Sequence, residues 1–470
     1  MSGKLHFDYD ITHLQGADYN PRKISDRDIE ILGESIKTLG MVKPLIVRNN
    51  ILVAGHQRTK ALKSIGVETA PVYLLSTNTT VYDEVRFNQL HNGTDLDLGV
   101  ENCFVKRKIQ KGFQFVEPNE IEADFNTSMA VVRKEIVRLI YKYGSWGSVV
   151  ATTEGEVIHA AQYALAAKIA NVPLAVYGVD AKKKDTYALF LNKTYGQFSY
   201  DNLPKHTYIQ TFAQMYRLRS GSKKNKSHLY ENFVLPWLKK HPKTRGIDFG
   251  SGQGDYAKHL RSQGYDLIDI ELFRRKNNQG INLSVVNKMI DLLCLNLRLK
   301  GQFDYVVCDS VLNSTDCLKA EESIMKVLNL LCKQNGVVFF SGRPRERVDQ
   351  RMLATIDNSN VSEIKFCDEH GFTASYRKGE WFYQKYHTKN QVIKLAKSVN
   401  FKIVKQFHTK HKASWRVMAE CVENIPIKQA IAAIEYEFNL PISKTERLNR
   451  HEDLINIVKK IYANKMAMEN

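Results

Sequence analysis

One stretch, RGIDFGSGQGDYAKHLRSQGYDLIDIELF, constrains the fold more than any other part of the 470-residue chain. An apolar strand, Ile247 to Phe249, runs into Gly250-Ser251-Gly252-Gln253-Gly254, and the helix that follows is stopped by Gly264. Glycines at such a turn let the backbone bend sharply and let a ligand lie against bare main chain. A second strand, Leu267 to Ile270, ends at Glu271, about 20 residues beyond the loop, where a carboxylate can take both hydroxyls of a ribose. The third glycine falls one place too early for G-x-G-x-x-G, the spacing that cradles a dinucleotide pyrophosphate. A loop with no pyrophosphate to hold suits an adenosine carrying an amino acid. Another nucleotide, or a loop that binds nothing, stays open at this point.

The stretch resembles motif I of class I S-adenosylmethionine-dependent methyltransferases, with Asp248 at the acidic position of the first strand and Gly250, Gly252, Gly254 and Glu271 as the cofactor contacts that the resemblance implies. It extends from about Tyr230 to Glu423 and has later landmarks. FDYVVCDSVLN looks like strand four, NGVVFFSG like strand five after the helix AEESIMKVLNLLCKQ, and NFKIVK with SWRVMAEC like the closing antiparallel hairpin. Enzymes that methylate DNA amino groups place D/N-P-P-Y/F after strand four. Here Cys308-Asp309-Ser310-Val311-Leu312-Asn313 has neither proline nor ring, and the Pro-Cys nucleophile of cytosine C5 enzymes is missing too. Asp309 and Asn313, at the carboxyl end of a central strand, are the polar candidates to orient an acceptor. SVLN loosely resembles a class I subgroup found beside bacterial and phage DNA-modification genes. WFYQKYHT could stack an extruded base and supply His387 as its proton acceptor; the alternative is half-buried core with a surface histidine.

The net charge of +18 favours a polyanionic partner, nucleic acid first, over a protein that merely happens to be basic. Seven cysteines without a C-x-x-C pair read as scattered thiols in a reducing compartment, with no metal site. No run approaches the ~18 apolar residues of a membrane span, and MSGKLHFDYD lacks the apolar core of a signal peptide. A cytoplasmic protein is therefore expected, in the host cytoplasm if phage-encoded.

Toward the N-terminus, VAGHQRTKALKSIG reads as strand end, tight turn and helix start, inside SIKTLGMVKPLIVRNNILVAGHQRTKALKSIGVETAPVYLL. This region, with Asn20-Pro21-Arg22 before it, is similar to the N-terminal domain of ParB and sulfiredoxin-like proteins, whose G-x-x-R turn binds nucleotide phosphate. The resemblance implies that Gly55 permits the turn, His56 and Arg58 face phosphate oxygens, and Arg22 is a second phosphate contact. Where the family has a Glu-Asn pair that helps hold a magnesium nucleotide, Phe87 stands for the glutamate and only Asn88 remains. A nucleotide triphosphate or DNA would be the ligand. The plainer alternative is a solvated turn capped by His56 and Arg58.

IHAAQYALAAKIAN echoes that element. Setting Gly55 on Ala160 places Gln57 on Gln162, Ala61 on Ala166, Lys63 on Lys168 and Val67 on Val172, with Gly144 for Gly40. His56 then falls on Ala161 and Arg58 on Tyr163, so the block reads as a degenerate copy that keeps the apolar helix face and loses the anion-binding groups. The connector after it mixes tyrosines with Arg217, Arg219, Lys223 and Lys224, and Arg274 and Arg275 follow the second strand of the glycine-loop domain; both groups suit a nucleic-acid backbone.

The expected architecture is α/β: a ParB/sulfiredoxin-like α+β domain (1–92), its degenerate repeat (93–180), a basic connector (181–229), a class I methyltransferase domain with a Rossmann-like, mostly parallel sheet (230–425), and a C-terminal helical extension (426–470). The expected activity is S-adenosylmethionine-dependent methylation of DNA in phage DNA modification or anti-restriction. The rivals are a non-catalytic, partition-type nucleic-acid-binding protein and a methyltransferase acting on RNA or a small molecule. A homo-oligomer stays open.

Overall fold

The computed structural model describes the chain except residues 1–2, 20–23, 92–99, 126–128, 194–199, 201–202, 210–215, 219–224, 277–279, 347, 349–366, 378–379, 410–412 and 470. It divides into two compact units, Met1–Leu203 with Val348–Glu369, and Pro204–Arg347 with His370–Asn470. No helix among the described residues is long and apolar enough to cross a membrane. All seven cysteines are free thiols.

The first unit contains one topology twice. Its first block runs β1 (Lys4–Asp10), β2 (Gln15–Gly16), α1 (Asp26–Leu39), β3 (Leu45–Arg48), β4 (Ile51–Ala54), α2 (His56–Ser64), β5 (Thr69–Leu74) and α3 (Val81–His91). The second runs β6 (Val100–Val105), β7 (Gly112–Val116), β8 (Ile121–Phe125), α4 (Ala130–Tyr143), β9 (Ser148–Thr152), β10 (Val157–His159), α5 (Ala161–Ala170) and β11 (Leu174–Val179). In the first sheet β1-β5-β3-β4 are neighbours, and in the second β7-β11-β9-β10. The pairing sense is antiparallel, parallel, antiparallel in both. Helices α1 and α4 both end at a glycine with positive φ, Gly40 and Gly144. The turns before α2 and α5 are both left-handed, at Gly55 (φ 103°) and Ala160 (φ 65°).

The two blocks do not have separate interiors. Ile46, Val53, Tyr73 and Phe87 from the first share one core with Val132, Leu139, Trp146 and Ala164 from the second. Helix α3 lies in that shared interior, and its polar side chains are buried. They are paired there: Asp83 accepts from Arg138 (2.7 Å), Lys142 (2.7 Å) and Tyr143 (2.5 Å), and Glu84 meets Arg48 and Tyr19. Buried charges persist only when matched in this way. The unit also takes in the start of the expected connector, because α6 (Lys184–Lys193) buries Tyr187 and Leu191 against Leu39, Val42 and Val179.

In the second unit a helical turn at Tyr230–Val234 continues into α7 (Leu235–Lys240), followed by β12 (Arg245–Phe249), α8 (Asp255–Ser262), β13 (Asp266–Ile270), α9 (Leu283–Lys300), β14 (Phe303–Cys308), α10 (Leu318–Leu331) and β15 (Cys332–Pro344). Next come β16 (Phe372–Arg377), β17 (Glu380–His387), α11 (Lys389–Lys397), β18 (Phe401–Phe407), β19 (Trp415–Cys421), α12 (Ile427–Glu437) and α13 (His451–Glu469). The sheet order is β13-β12-β14-β15, parallel throughout, closed by antiparallel β19 and β18. The β16–β17 hairpin is added at the carboxyl end of β15. Alternate residues of β14 feed two cores: Val306 and Cys308 join α9, α10 and the C-terminal helices, whereas Tyr305 and Val307 join α8 and the Tyr230 helix. The C-terminal 45 or so residues are thus no appendage: Ala430, Ala433, Ile434, Leu454 and Val458 complete the first of these cores by apolar burial.

Candidate functional site

The glycine loop follows β12, and its three glycines all have positive φ: 76° at Gly250, 59° at Gly252 and 69° at Gly254, the last opening α8. Two of them are required by close neighbours. A Cβ on Gly250 would run into Val311 of the turn after β14, and one on Gly254 would sit 2.8 Å from Asp269 Oδ2 and 3.0 Å from Arg274 Nη2. Asp269 accepts from Ser251 Oγ (3.1 Å), Arg261 (2.8 Å) and Arg274 (3.0 Å), so a buried ion pair props the loop from behind. Glu271, at the end of β13, accepts from Gly252 N (2.8 Å) and Phe273 N (3.0 Å). Each of its oxygens keeps a lone pair for a hydroxyl.

These elements surround a cavity with about 170 Å³ of space open to water-sized atoms. Its walls include Gly250, Gly252, Glu271, Leu272, Asp309, Val311, Asp316 and Glu437, with Arg217, Tyr230 and Asp248. Asp248 is 3% exposed and its Oδ1 has no hydrogen-bond partner among the described residues. Burial drives its carboxyl up to about 8; the Tyr230 hydroxyl, close but outside hydrogen-bond geometry, works against that shift, and Asp269, Asp309 and Glu271 add to it. Asp309 is held by three groups: Ser341 Oγ donates at 2.7 Å, Ser310 Oγ at 3.2 Å, and Arg217 Nη2 lies 3.2 Å from Oδ2. Ser310 itself has φ 63°, a conformation held by its N–H donating to Ser341 Oγ at 2.9 Å.

Several residues expected at a site lie elsewhere. His387 is 1% exposed, hydrogen-bonded to Glu321 and edge-on to Trp415 at 5.2 Å; it does not line the cavity, because β17 pairs with β15 and turns this face inward. Trp381, Phe382, Tyr383 and Tyr386 of the same run are core as well, so the run packs as in the plainer alternative, except that its histidine is buried rather than at the surface. Asn313 is buried in the turn after β14, with Nδ2 3.5 Å from Ser314 Oγ, and is absent from the cavity wall. Arg274 is not a nucleic-acid contact: it is buried against Asp269. Arg217 points into the cavity toward Asp309 rather than along an outer rim. Arg275 keeps partial exposure, its guanidinium 5.9 Å over the Tyr216 ring. Arg22, Arg219, Lys223 and Lys224 lie outside the described residues.

The Gly55 turn also differs from expectation. Arg58 is 6% exposed, donates to Lys43 O at 2.7 Å and contacts His91 Nδ1 at 3.1 Å. His56 Nε2 accepts from Ala17 N at 3.1 Å, and burial pushes its imidazole down to about 4, so it is neutral near pH 7. Asn88 is buried with its amide on Val53 O at 2.9 Å. All three side chains are turned into the protein, and the expected display of His56 and Arg58 toward a phosphate is not formed. Neither do they cap a solvated turn. At the matching position of the second block, Tyr163 accepts from Gly147 N at 2.8 Å and packs on Trp146 at 4.9 Å.

Tyr230, Asp316 and Glu437 were not singled out from the sequence. Asp316 closely follows SVLN and was within reach; Glu437, on a C-terminal helix, carries no local signal.

Residues 5–87 match the ParB N-terminal domain, and residues 219–406 match a methyltransferase domain. No curated protein matches the chain. Similar solved structures include an S-adenosylmethionine-dependent methyltransferase from Clostridium acetobutylicum ATCC 824 (12% identity, 42% of this chain and 92% of that one, TM-score 0.30). Others are the 1,6-didemethyltoxoflavin-N1-methyltransferase of Burkholderia thailandensis (12%, 42% and 79%, 0.27) and the magnesium protoporphyrin IX methyltransferase of Synechocystis PCC 6803 (14%, 46% and 92%, 0.28). By the family matches, the chain carries a ParB N-terminal domain followed by a methyltransferase domain.

Proposed function

We propose that the protein transfers a methyl group from S-adenosylmethionine to DNA, in the setting of phage DNA modification or anti-restriction. The observation that carries the methyl-transfer reading is the cavity at the carboxyl ends of β12, β13 and β14. It combines a side-chain-free loop, a diol-binding carboxylate and an unpaired buried carboxyl within a methyltransferase domain. The residues fit the donor by chemistry. Glu271 has lone pairs for the ribose hydroxyls, Asp248 can take the ammonium, Arg217 the carboxylate, and Leu272 with Val311 offer apolar surface to a ring. When bound, the donor supplies a methyl already activated on its sulfonium. The work left to the protein is alignment of the acceptor and removal of its proton. Asp309, fixed by Ser341, Ser310 and Arg217 in the turn after β14, is the carboxylate positioned to hold an acceptor group.

DNA as acceptor rests on two properties of the whole chain, its net charge of +18 and its ParB N-terminal domain. With Arg58 and His56 turned inward, any DNA contact by that domain is assigned to its outer basic side chains rather than to the turn. Mass spectrometry of nucleosides from DNA of cells with and without the protein tests this reading. A nucleoside heavier by one methyl group supports it. An unchanged profile alongside tight DNA binding would favour the non-catalytic reading, and label in RNA or metabolites alone would move the acceptor there.

A further inference from the structure

From Pro204 the connector belongs to the second unit, where it crosses the β16–β17 hairpin. Tyr383 Oη donates to Pro204 O at 3.2 Å, His206 Nδ1 lies 2.8 Å from Glu380 Oε2, and Lys444 Nζ lies 3.6 Å from the other oxygen of that carboxylate. The Tyr208 ring stacks on that of His206 at 5.3 Å and 15°, and Ile209 N donates to His206 O at 2.9 Å. These contacts pin the segment on the side of His206 and Tyr208, and the residue between them, Thr207, stands in the cavity wall. The Thr207 hydroxyl has no hydrogen-bond partner among the described residues. Strand β17 also packs on the Leu312–Ser314 turn, so the connector meets the cavity on the side of the turn after β14, where Asp309 is held. No cysteine is among the described residues of that wall: Cys308 is buried in the core that α9 and α10 share, and Cys317, the residue that opens α10, has Sγ 3.5 Å from Tyr436 Oη.

We propose that Thr207 and Asp309 form the acceptor subsite, and that it takes an exocyclic amino group of a base rather than a ring atom. This rests on the DNA-methylation reading above. An amino group has two hydrogens to place and one lone pair to aim. The Thr207 hydroxyl oxygen and the Asp309 carboxylate are two acceptors in one wall, and the carboxylate keeps lone pairs beyond those that Ser341, Ser310 and Arg217 use. With both hydrogens held, the lone pair is left for the methyl group. The nitrogen pair forms the new N–C bond as the carbon–sulfur bond breaks, the bonding electrons stay on sulfur, and the nitrogen gives one proton to the Asp309 carboxylate. A hydroxyl acceptor would offer one hydrogen to two partners. A cytosine ring carbon would offer none and would need a covalent nucleophile, which the described wall does not supply.

The test incubates the full chain with S-adenosylmethionine and unmethylated DNA of mixed sequence, and identifies the nucleoside products by chromatography and mass spectrometry. The methyl group should lie on an exocyclic nitrogen. Thr207→Val, which keeps the shape and removes the hydroxyl, should lower kcat about tenfold, while affinity for S-adenosylhomocysteine in calorimetry stays as it is. Thr207→Ser should recover most of the rate. Asp309→Asn, which still accepts a hydrogen bond but is a far weaker base, should lower kcat about a hundredfold. A product methylated on a ring atom, or an unchanged kcat in Thr207→Val, overturns the subsite and leaves methylation of DNA standing. DNA without any methylated nucleoside, under conditions where calorimetry shows the protein saturated with S-adenosylmethionine, overturns the DNA reading and the subsite with it.

Discussion

Two turns of this chain share one description: a strand, a glycine with positive φ, a helix, and polar residues at the bend. At Gly55 the bend leads into the interior, where Arg58, His56 and Asn88 each bond a backbone or side-chain group of the same unit, while His56 Nδ1 and Asn88 Oδ1 have no partner among the described residues and line no cavity of the size found at the glycine loop. At Gly250–Gly254 it leads to a cavity whose walls hold a buried carboxyl with a free oxygen and a second carboxylate with lone pairs to spare. A glycine turn therefore marks only the permission to bend. A site is marked by buried, unsatisfied polar groups that line a cavity, since there a ligand has room to relieve the cost of leaving them unpaired.

Substitution of the two glycines should separate the turns most strongly. Gly250→Ala drives a Cβ into Val311 at φ 76°, and should reduce affinity for S-adenosylhomocysteine about tenfold to a hundredfold in calorimetry. Gly55→Ala meets Leu45 at φ 103° and should lower unfolding free energy by about 1–3 kcal/mol, with ligand affinity unchanged. Loss of affinity in Gly55→Ala would break the contrast.

Next in size are the arginines. Arg58→Met removes the buried charged donor to Lys43 O and the contact with His91 Nδ1, and should cost about 2–3 kcal/mol in denaturant unfolding. If the protein binds DNA, the slope of log K against log salt should stay as it is in that variant. A slope smaller by about one would make Arg58 a phosphate contact after all. Arg217→Ala should do the opposite, weakening the ligand about tenfold with little change in the midpoint of unfolding.

Smaller effects should appear in pH dependence. Asp248 and Glu437 are both raised by burial to about 8, from ordinary values near 4. The folded form keeps their protons where the unfolded chain has lost them, so their contribution is full below about pH 4 and is lost as pH rises through about 8. Thermal unfolding should shift down across that window, and Asp248→Asn should flatten part of the fall. The smallest effect belongs to the second block. Ala160 occupies the left-handed position that Gly55 occupies in the first, and Ala160→Gly should stabilise the protein by about 0.5–1 kcal/mol in chemical unfolding.

Much of this was legible in the sequence because it is local. The glycine loop, Glu271 as the acid that ends the next strand, and the order of β12 to β15 follow from spacing and alternation of apolar residues. The echo between the two N-terminal blocks was weak as sequence, yet the two share strand order and pairing sense, since an apolar helix face and two helix-ending glycines suffice to keep a topology. Orientation was not legible. Nothing in HQRTK says that Arg58 folds back on Lys43, and nothing in WFYQKYHT says that His387 meets Glu321, because both depend on segments distant in the chain. Arg274 read as surface charge until Asp269 was seen beside it, and Glu437 reaches the cavity only through the packing of α12 on α10.

The most direct measurement is calorimetric titration of the full chain with S-adenosylmethionine, side by side with Glu271→Ala. One equivalent of ligand should bind the intact protein, and the substitution should weaken it at least about tenfold, the loss expected from a carboxylate that holds two hydroxyls. Absence of binding to the intact protein, or equal binding by the substituted one, would contradict the assignment of the Gly250–Gly254 cavity as the methyl-donor site.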